Sequence, residues 1–127
     1  WVLGAIGWSW AVLGLPVAAL CGMAHAAPIF AFAVRQEVDG GFAMLFRFVI
    51  LPMFLFSGTF FPVDQLPSWL ELVAWMTPLW HAVDLCRSLA LGTATPAAAA
   101  VHVAYLLLWV VVGLWLAVRS FRRRLVV

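Results

Sequence analysis

The first 34 residues of the chain contain no aspartate, glutamate, lysine or arginine. A helix of that length would extend about 50 Å, which is too long for one crossing of a hydrocarbon core about 30 Å thick and too short for two. Several glycines and Pro16 interrupt the first half of this stretch and favour dividing it. We therefore predict the end of one membrane span with a tight loop at residues 1–9, followed by a complete span from about Ala11 to Val34.

The composition supports a membrane protein. Hydrophobic residues make up 67% of the chain and charged residues 9%, whereas soluble domains carry about 25% charged residues. No water-soluble fold could cover so much apolar surface, so the predicted class is an all-α integral membrane protein. The apolar run starts at Trp1 with neither a basic leader nor a cleavage site, unlike a signal peptide. We expect one domain over residues 1–127, the C-terminal part of a longer protein.

Two further spans are predicted downstream. One runs from about Phe42 to Phe56, with a kink expected at Pro52. The other runs from about Ala97 to Val118. It follows a Thr95-Pro96 start signal, in which threonine caps the helix, and Arg119 is expected to end it. The predicted fold thus has about three full transmembrane helices plus the end of another.

The placement of charge predicts the orientation. Four of the seven arginines lie within the last nine residues, and basic clusters flank spans on the cytoplasmic side. Each span takes the chain to the other side of the membrane. If the C-terminus is cytoplasmic, the polar turn Arg35–Gly41 is therefore expected in the cytoplasm and the stretch Leu51–Gly92 on the outer side. Arg47 lies within a span, where it either snorkels to the headgroups, pairs with a buried acid or faces a substrate path.

The stretch before the last span predicts a short helical hairpin. Its first part, Ser68-Trp69-Leu70-Glu71, matches a capping box, in which Ser68 caps the helix and Glu71 reaches back to a free amide. A helix from about Trp69 to Met76 would follow. It would extend about 12 Å, which is too short to cross a bilayer.

A second start signal lies at Thr77-Pro78. It predicts a helix from about Pro78 to Leu91 that ends at Gly92 and is also too short to cross. Two short apolar helices between spans are typical of a re-entrant or interfacial hairpin. Such backbone is tolerated at membrane depth only where protein or a water-filled cavity covers it.

One face of the second short helix carries His81, Asp84 and Ser88, and Arg87 lies one turn from Asp84. Two roles are compatible with this pattern: a structural pair of Asp84 with Arg87 or with His81, or a gate that contacts substrate. A metal site is disfavoured because His81 and Asp84 supply only two ligands. A serine-type triad is disfavoured because residues along one helix stripe cannot converge on one another.

The hairpin region contains the run PMFLFSGTFFPVDQLPSWL, followed by PLWHAVDLCRSLALG. This region resembles the C-terminal signature of ABC type-2 transporter permeases, and most of all their daunorubicin-exporter and NodJ-like lipo-oligosaccharide-exporter group. The matching positions are Pro52, Ser57-Gly58, Phe61-Pro62, Leu66-Pro67, Pro78-Leu79, Asp84, Arg87 and Leu91-Gly92.

The resemblance implies a six-span permease of the bacterial inner membrane, of which this chain would hold the end of the third span and the fourth to sixth. The hairpin would close the external exit of the path. Two permeases would pair with cytoplasmic ABC ATPase subunits to export an amphiphile such as a drug, a glycolipid or a lipo-oligosaccharide. The implied gate residues are Ser57, Gly58, Phe61, Pro62, Pro67, Pro78, His81, Asp84 and Arg87. The turn residues that could face the ATPase are Arg35, Glu37 and Asp39.

The chain has no lysine and no GxxxxGKS/T motif, so ATP hydrolysis is expected in a separate subunit. No catalytic, metal-binding or cofactor-binding residue is predicted, and nucleic acid is not an expected partner. Two alternatives stay open. A membrane anchor or assembly subunit would not explain the paired, proline-started short helices. An intramembrane enzyme would need converging polar groups, and the spans offer only His25, Arg47 and His102.

Overall fold

A computed structural model of the chain describes residues 12–37, 40–60 and 62–125. Every regular element in these ranges is helical, which confirms the predicted all-α class. The α-helices are α1 (Gly14–Ala33), α2 (Gly40–Leu45), α3 (Leu51–Phe56), α4 (Ser68–Met76), α5 (Pro78–Ala90) and α6 (Pro96–Leu125). A π-helical turn, Phe46–Ile50, joins α2 to α3, and a 3-10 turn, Val63–Gln65, precedes α4. The span end and loop predicted at residues 1–9 lie outside the described ranges.

Two helices are long and apolar enough to cross a membrane: α1, with 20 residues, and α6, with 30. Only 22% and 17% of their apolar stretches are buried within the protein. The core helix of a soluble protein would be mostly buried, so these faces suit contact with lipid or with further protein. The two helices correspond to the spans predicted at 11–34 and 97–118.

The last helix does not end at Arg119 as predicted. It continues to Leu125, because arginine is a good helix former and its positive charge is favourable near the negative C-terminal end of a helix. Ser120 is buried, so this extension packs against protein. A charged residue at the edge of an apolar run therefore does not mark the end of the helix.

The span predicted at 42–56 corresponds to the apolar helical segment Gly40–Phe56, which is shorter than α1 and α6. Pro52 has no amide hydrogen, and its ring crowds the carbonyl four residues back. The structure meets this disturbance with the π-helical turn, in which the Leu51 amide bonds the carbonyl of Phe46, five residues earlier.

The core forms where α1, α5 and α6 pack together, with α1 and α6 in the most extensive contact. Its buried apolar residues are Val17, Ala24, Ala82, Leu85, Leu89 and Leu106. Farther along, α6 crosses α1 at Gly113. A Cβ atom built there would lie 2.7 Å from the Ala27 Cβ and 2.9 Å from the Pro28 backbone nitrogen. Small residues at such crossings let membrane helices approach closely.

Candidate functional site

Helix α5 is delimited by local signals at both ends. The Thr77 hydroxyl accepts a hydrogen bond from the Trp80 amide at 3.4 Å, and Pro78 occupies the first helical position. At the other end Gly92 adopts a φ of 69°, in the left-handed region that favours glycine. These signals limit α5 to 13 residues, and both short helices predicted from the sequence are present.

Helix α4 begins differently from the prediction. Pro67 occupies the N-cap position, Ser68 is already helical, and no side chain caps the helix. The amides of Leu70 and Glu71 bond the Pro67 carbonyl at 2.9 and 3.0 Å. The predicted capping box is therefore wrong. The backbone turns into the helix one residue too early for the Ser68 side chain to reach a free amide.

The turn after α3 is buried and polar. The Ser57 side chain is fully buried. Its hydroxyl donates to the Phe54 carbonyl at 2.9 Å and lies 2.7 Å from the Thr59 hydroxyl. Gly58 has a φ of 85°, which a residue with a Cβ rarely adopts. Arg87 on α5 donates through Nη2 to the Gly58 carbonyl at 2.6 Å. The structure thus joins three predicted gate residues.

Asp84 pairs with a residue that the sequence did not indicate. Its Oδ2 lies 3.3 Å from Nε2 of His102, on α6. The predicted partners, Arg87 and His81, are wrong: Arg87 binds the Gly58 carbonyl instead. Helix α6 packs against α5 and presents His102 to Asp84, and spacing along α5 alone carries no information about that neighbour.

His81 continues this cluster away from Asp84. Its Nδ1 lies 2.8 Å from the Nδ1 of His102, and its Nε2 lies 3.0 Å from the Trp75 carbonyl. Burial, and after it the charge of His102, lower the pKa of His81. The Tyr105 ring packs against the His81 ring, with the ring centroids 4.0 Å apart. Sequence reasoning missed His102 and Tyr105 as members of this site, and its only available signal was a polar residue inside an apolar helix.

The remaining predicted gate residues lie at element boundaries. Pro62 precedes the 3-10 turn, Pro67 precedes α4, and both are exposed. Pro78 is buried at the start of α5. Phe61 lies outside the described residues. Within the described ranges, no group of three or more His, Cys, Asp or Glu side chains is arranged to hold a metal ion.

The charged turn after α1 contacts the C-terminal end of α6. The Arg35 Nε donates to the Ser120 hydroxyl at 3.0 Å. The Glu37 carboxylate lies 3.6 Å from Arg124, an exposed pair worth about 0–1 kcal/mol. Asp39 lies outside the described residues. Arg47 is exposed, and none of the acids in the described ranges pairs with it.

A cleft of about 290 Å³ lies between α1, the α2–α3 segment and α6. Its walls include Phe32, Val49, Met53 and Trp109, and among its described lining residues His25 alone is titratable. The His25 Nδ1 lies 2.8 Å from the Cys21 carbonyl, which can only accept, so Nδ1 carries the hydrogen. In the neutral ring Nε2 is then an acceptor. It is buried and has no partner among the described residues.

A second apolar cleft, of about 310 Å³, lies between α3 and α4. Val49 and Met53 line both clefts. The α2–α3 segment therefore borders both clefts.

Comparison with known proteins decides the family. Residues 2–119 match the sequence model of a family described as ABC-2 family transporter protein. The chain belongs to the ABC-2 transporter family. Membership agrees with the apolar helices α1 and α6 in making this ABC-2 chain a membrane protein. The resemblance read from the hairpin motifs is confirmed.

The ABC-2 chain is similar to several proteins called nodulation protein J. It is 34% identical over 124 residues to that of Rhizobium leguminosarum bv. viciae, which covers 98% of this chain and 48% of the relative. It is 33% identical to that of Rhizobium meliloti (strain 1021), covering 97% of this chain and 47% of the relative. The chain spans about half the length of the curated relatives it matches. No solved structure matches it.

Proposed function

We propose that this ABC-2 chain is part of the permease of an ATP-driven exporter and lines the path of an amphiphilic substrate. The observation that carries the proposal is the apolar cleft of about 290 Å³, in which His25 is the one titratable residue among the described lining residues. An amphiphile matches such a cleft, because its chain contacts the apolar walls and its hydroxyl or amide N–H can donate to the imidazole of His25 once Nε2, which is covered in this structure, becomes accessible. The substrate class we infer includes drugs, glycolipids and lipo-oligosaccharides.

We propose three crossings for the described residues, through α1, the α2–α3 segment and α6, with the C-terminus in the cytoplasm of a bacterial inner membrane. The C-terminal part of α6 supports this orientation. Trp115 and Arg119 lie there together, with the guanidinium 5.2 Å from the ring centroid, and Arg122 and Arg123 line the same face. Tryptophan and arginine at the end of a span suit the anionic headgroups of the cytoplasmic leaflet.

The α4–α5 hairpin is proposed as the external gate. Its contacts support that role, because Arg87 joins α5 to the turn after α3 and His81 joins it to α6. In this mechanism a cytoplasmic ABC ATPase hydrolyses ATP, and the chain itself performs no enzymatic step. The ATPase would move two permease copies, or two homologous permeases, relative to each other. The paired hairpins would then part and release the substrate outward.

The first test is association with an ATPase. The full-length permease, solubilised from membranes, is expected to co-purify with a cytoplasmic ABC ATPase whose activity rises when amphiphiles are added to the complex in proteoliposomes. A permease that neither binds nor stimulates any such ATPase would contradict the exporter proposal. In that case the membrane anchor would be the better interpretation.

The variant His25→Leu tests the cleft. Leucine removes the acceptor, and a hydrogen bond is worth about 0.5–1.5 kcal/mol. We expect the concentration of a long-chain alcohol that half-maximally stimulates the ATPase to rise by about fivefold. The methyl ether of the same alcohol has no hydrogen to donate, so its half-maximal concentration should not change. An equal effect on both probes would show that His25 affects packing and does not bind substrate.

A further inference from the structure

The polar cluster between α4, α5 and α6 is a series of contacts with an acceptor at each end. It runs from the Asp84 carboxylate to His102 at 3.3 Å, from His102 to His81 at 2.8 Å, and from His81 to the Trp75 carbonyl at 3.0 Å. Both imidazoles use both ring nitrogens in it. His102 is 9% exposed, whereas the Asp84 side chain is 42% exposed and the contact of His81 with the Trp75 carbonyl lies at the surface. Water therefore reaches the two ends of the series, and its centre is the shielded part.

Counting hydrogens shows what this series requires. Three hydrogen bonds need three protons, whereas a carboxylate and two neutral imidazoles hold only two. With two protons, at least one contact lacks its hydrogen: the two Nδ1 lone pairs face each other, the His81 Nε2 lone pair faces the Trp75 carbonyl, or the His102 Nε2 lone pair faces the Asp84 carboxylate. With four protons, two N–H groups face each other at the Nδ1–Nδ1 contact. The complete series therefore holds three protons and no net charge.

The position of the third proton follows from the surroundings. The pKa of His81 is lowered by its burial and by the charge of His102, so His81 stays neutral and donates through Nε2 to Trp75. The third proton then lies between Asp84 and His102, as either an ion pair or a neutral pair. Both forms complete the same three hydrogen bonds.

Other titratable groups on the packed elements have partners elsewhere or lie apart from the series. The Arg87 guanidinium binds the Gly58 carbonyl, and the Tyr105 hydroxyl donates to the Met76 carbonyl. His25 bonds the carbonyl of Cys21 within α1. The titratable side chains of α1, α4, α5 and α6 that take no part in the three contacts are Cys21, His25, Glu71, Cys86, Arg87, Tyr105, Arg119, Arg122, Arg123 and Arg124.

We infer that Asp84, His102 and His81 form a proton-dependent latch that holds the hairpin against α6 in the three-proton state and releases it when one proton is lost or gained. This inference rests on the contacts and not on the proposed transport function, so it stands or fails independently of export. In a permease, it would make the stability of the hairpin depend on the pH of the compartment that it faces.

The direction of the pH effect follows from proton linkage. Separated in water, the two imidazoles have pKa values of about 6.5 and the carboxyl about 3.9. In the open latch, Asp84, His102 and His81 together therefore hold about four protons below pH 6.5, about three near that pH and about two at higher pH. Opening takes up a proton on the acidic side and releases one on the alkaline side. The closed state is thus most populated near about pH 6.5, and the opening constant rises up to about tenfold per pH unit on either side.

The variant Asp84→Asn gives a sharp test, because asparagine can donate through its amide to His102. In this variant the asparagine amide and two neutral imidazoles can make all three hydrogen bonds, so no third proton is needed. We expect Asp84→Asn to remove the opening above about pH 6.5 while wild type still opens. A simple salt bridge predicts the opposite, namely that the variant is loosened at every pH.

The measurement uses the full-length permease in nanodiscs with Cys21→Ala and Cys86→Ala. Spin labels are attached at Leu72→Cys on α4 and Leu108→Cys on α6, both exposed sites. Pulsed electron resonance then gives the fraction of separated hairpins between about pH 5 and 9. A minimum near about pH 6.5 in wild type, with a flat alkaline limb in Asp84→Asn, is the expected result. A flat wild-type profile, or equal alkaline opening in both proteins, would overturn the latch.

A second measurement tests the same proposal without the spin-labelled variants, so it does not depend on how well those variants fold. Solid-state ¹⁵N spectra of histidine-labelled, otherwise unmodified permease report how many ring nitrogens carry hydrogen. Near about pH 6.5, one hydrogen shared at the Nδ1–Nδ1 contact is expected. Two bare Nδ1 atoms at that pH would contradict the three-proton state.

Discussion

Replacing Gly113 with leucine is expected to prevent α1 and α6 from packing and to remove most folded protein from the membrane. A Cβ atom there meets the Ala27 Cβ and the Pro28 Cδ at 2.7 Å, and the Pro28 nitrogen at 2.9 Å. Part of this obstacle is backbone, which cannot rotate away, so the helices must separate. Overpacking typically costs about 1–3 kcal/mol, and we expect a loss at the upper end of that range.

The measurement is the yield of monodisperse permease after size exclusion, together with its Tm. Gly22→Leu is the matched control, because Gly22 lies on α1, the helix that Gly113 meets, and no heavy atom lies within 4 Å of its added Cβ. That variant should keep its yield and Tm. If Gly113→Leu matched Gly22→Leu, the close crossing of α1 and α6 would be wrong.

Replacing Arg87 with leucine is expected to free the hairpin from the turn after α3 and to reduce export at least tenfold, with insertion retained. The Gly58 carbonyl is held in a buried turn by a charged donor at 2.6 Å. Hydrogen bonds to charged groups contribute about 1.5–3 kcal/mol, and every 1.4 kcal/mol changes an equilibrium about tenfold. A hairpin that is no longer fixed would open and close independently of ATP hydrolysis by the ATPase.

Export from proteoliposomes and the membrane yield are measured together. Arg123→Leu makes the same chemical change at an exposed arginine near the C-terminal end of α6 that no acid in the described ranges pairs with, and its export should stay near wild type. Unchanged export in Arg87→Leu would remove the gate role. A collapse of its yield would show that the contact holds the fold together and does not gate the path.

Several features of this protein could be predicted because they depend on neighbours along the chain. Thr77 with Pro78 and Thr95 with Pro96 start helices where expected, and the threonine hydroxyls accept from Trp80 and Ala98 amides. Gly92 ends α5 with a positive φ. Even local signals failed where two competed, since the extended conformation of Pro67 displaced the expected Ser68 cap.

The candidate site was predicted in part. Ser57, Gly58, Asp84, His81 and Arg87 all lie in the two polar connections that hold the hairpin. Their partners were not predictable from spacing, because the contact of Arg87 with Gly58 joins residues 29 apart in the chain. The contact of His81 with His102 joins residues 21 apart.

The sequence by itself determined that this is a helical membrane protein with a short hairpin before its last span. Long uncharged apolar runs and local helix signals act over a few residues and need no knowledge of packing. Only the tertiary structure decided which polar groups meet. Asp84 takes its charge partner from α6, and Gly113 is a position where α6 approaches α1 closely. Those contacts depend on how two helices cross, and that crossing is determined by the summed packing of many apolar side chains.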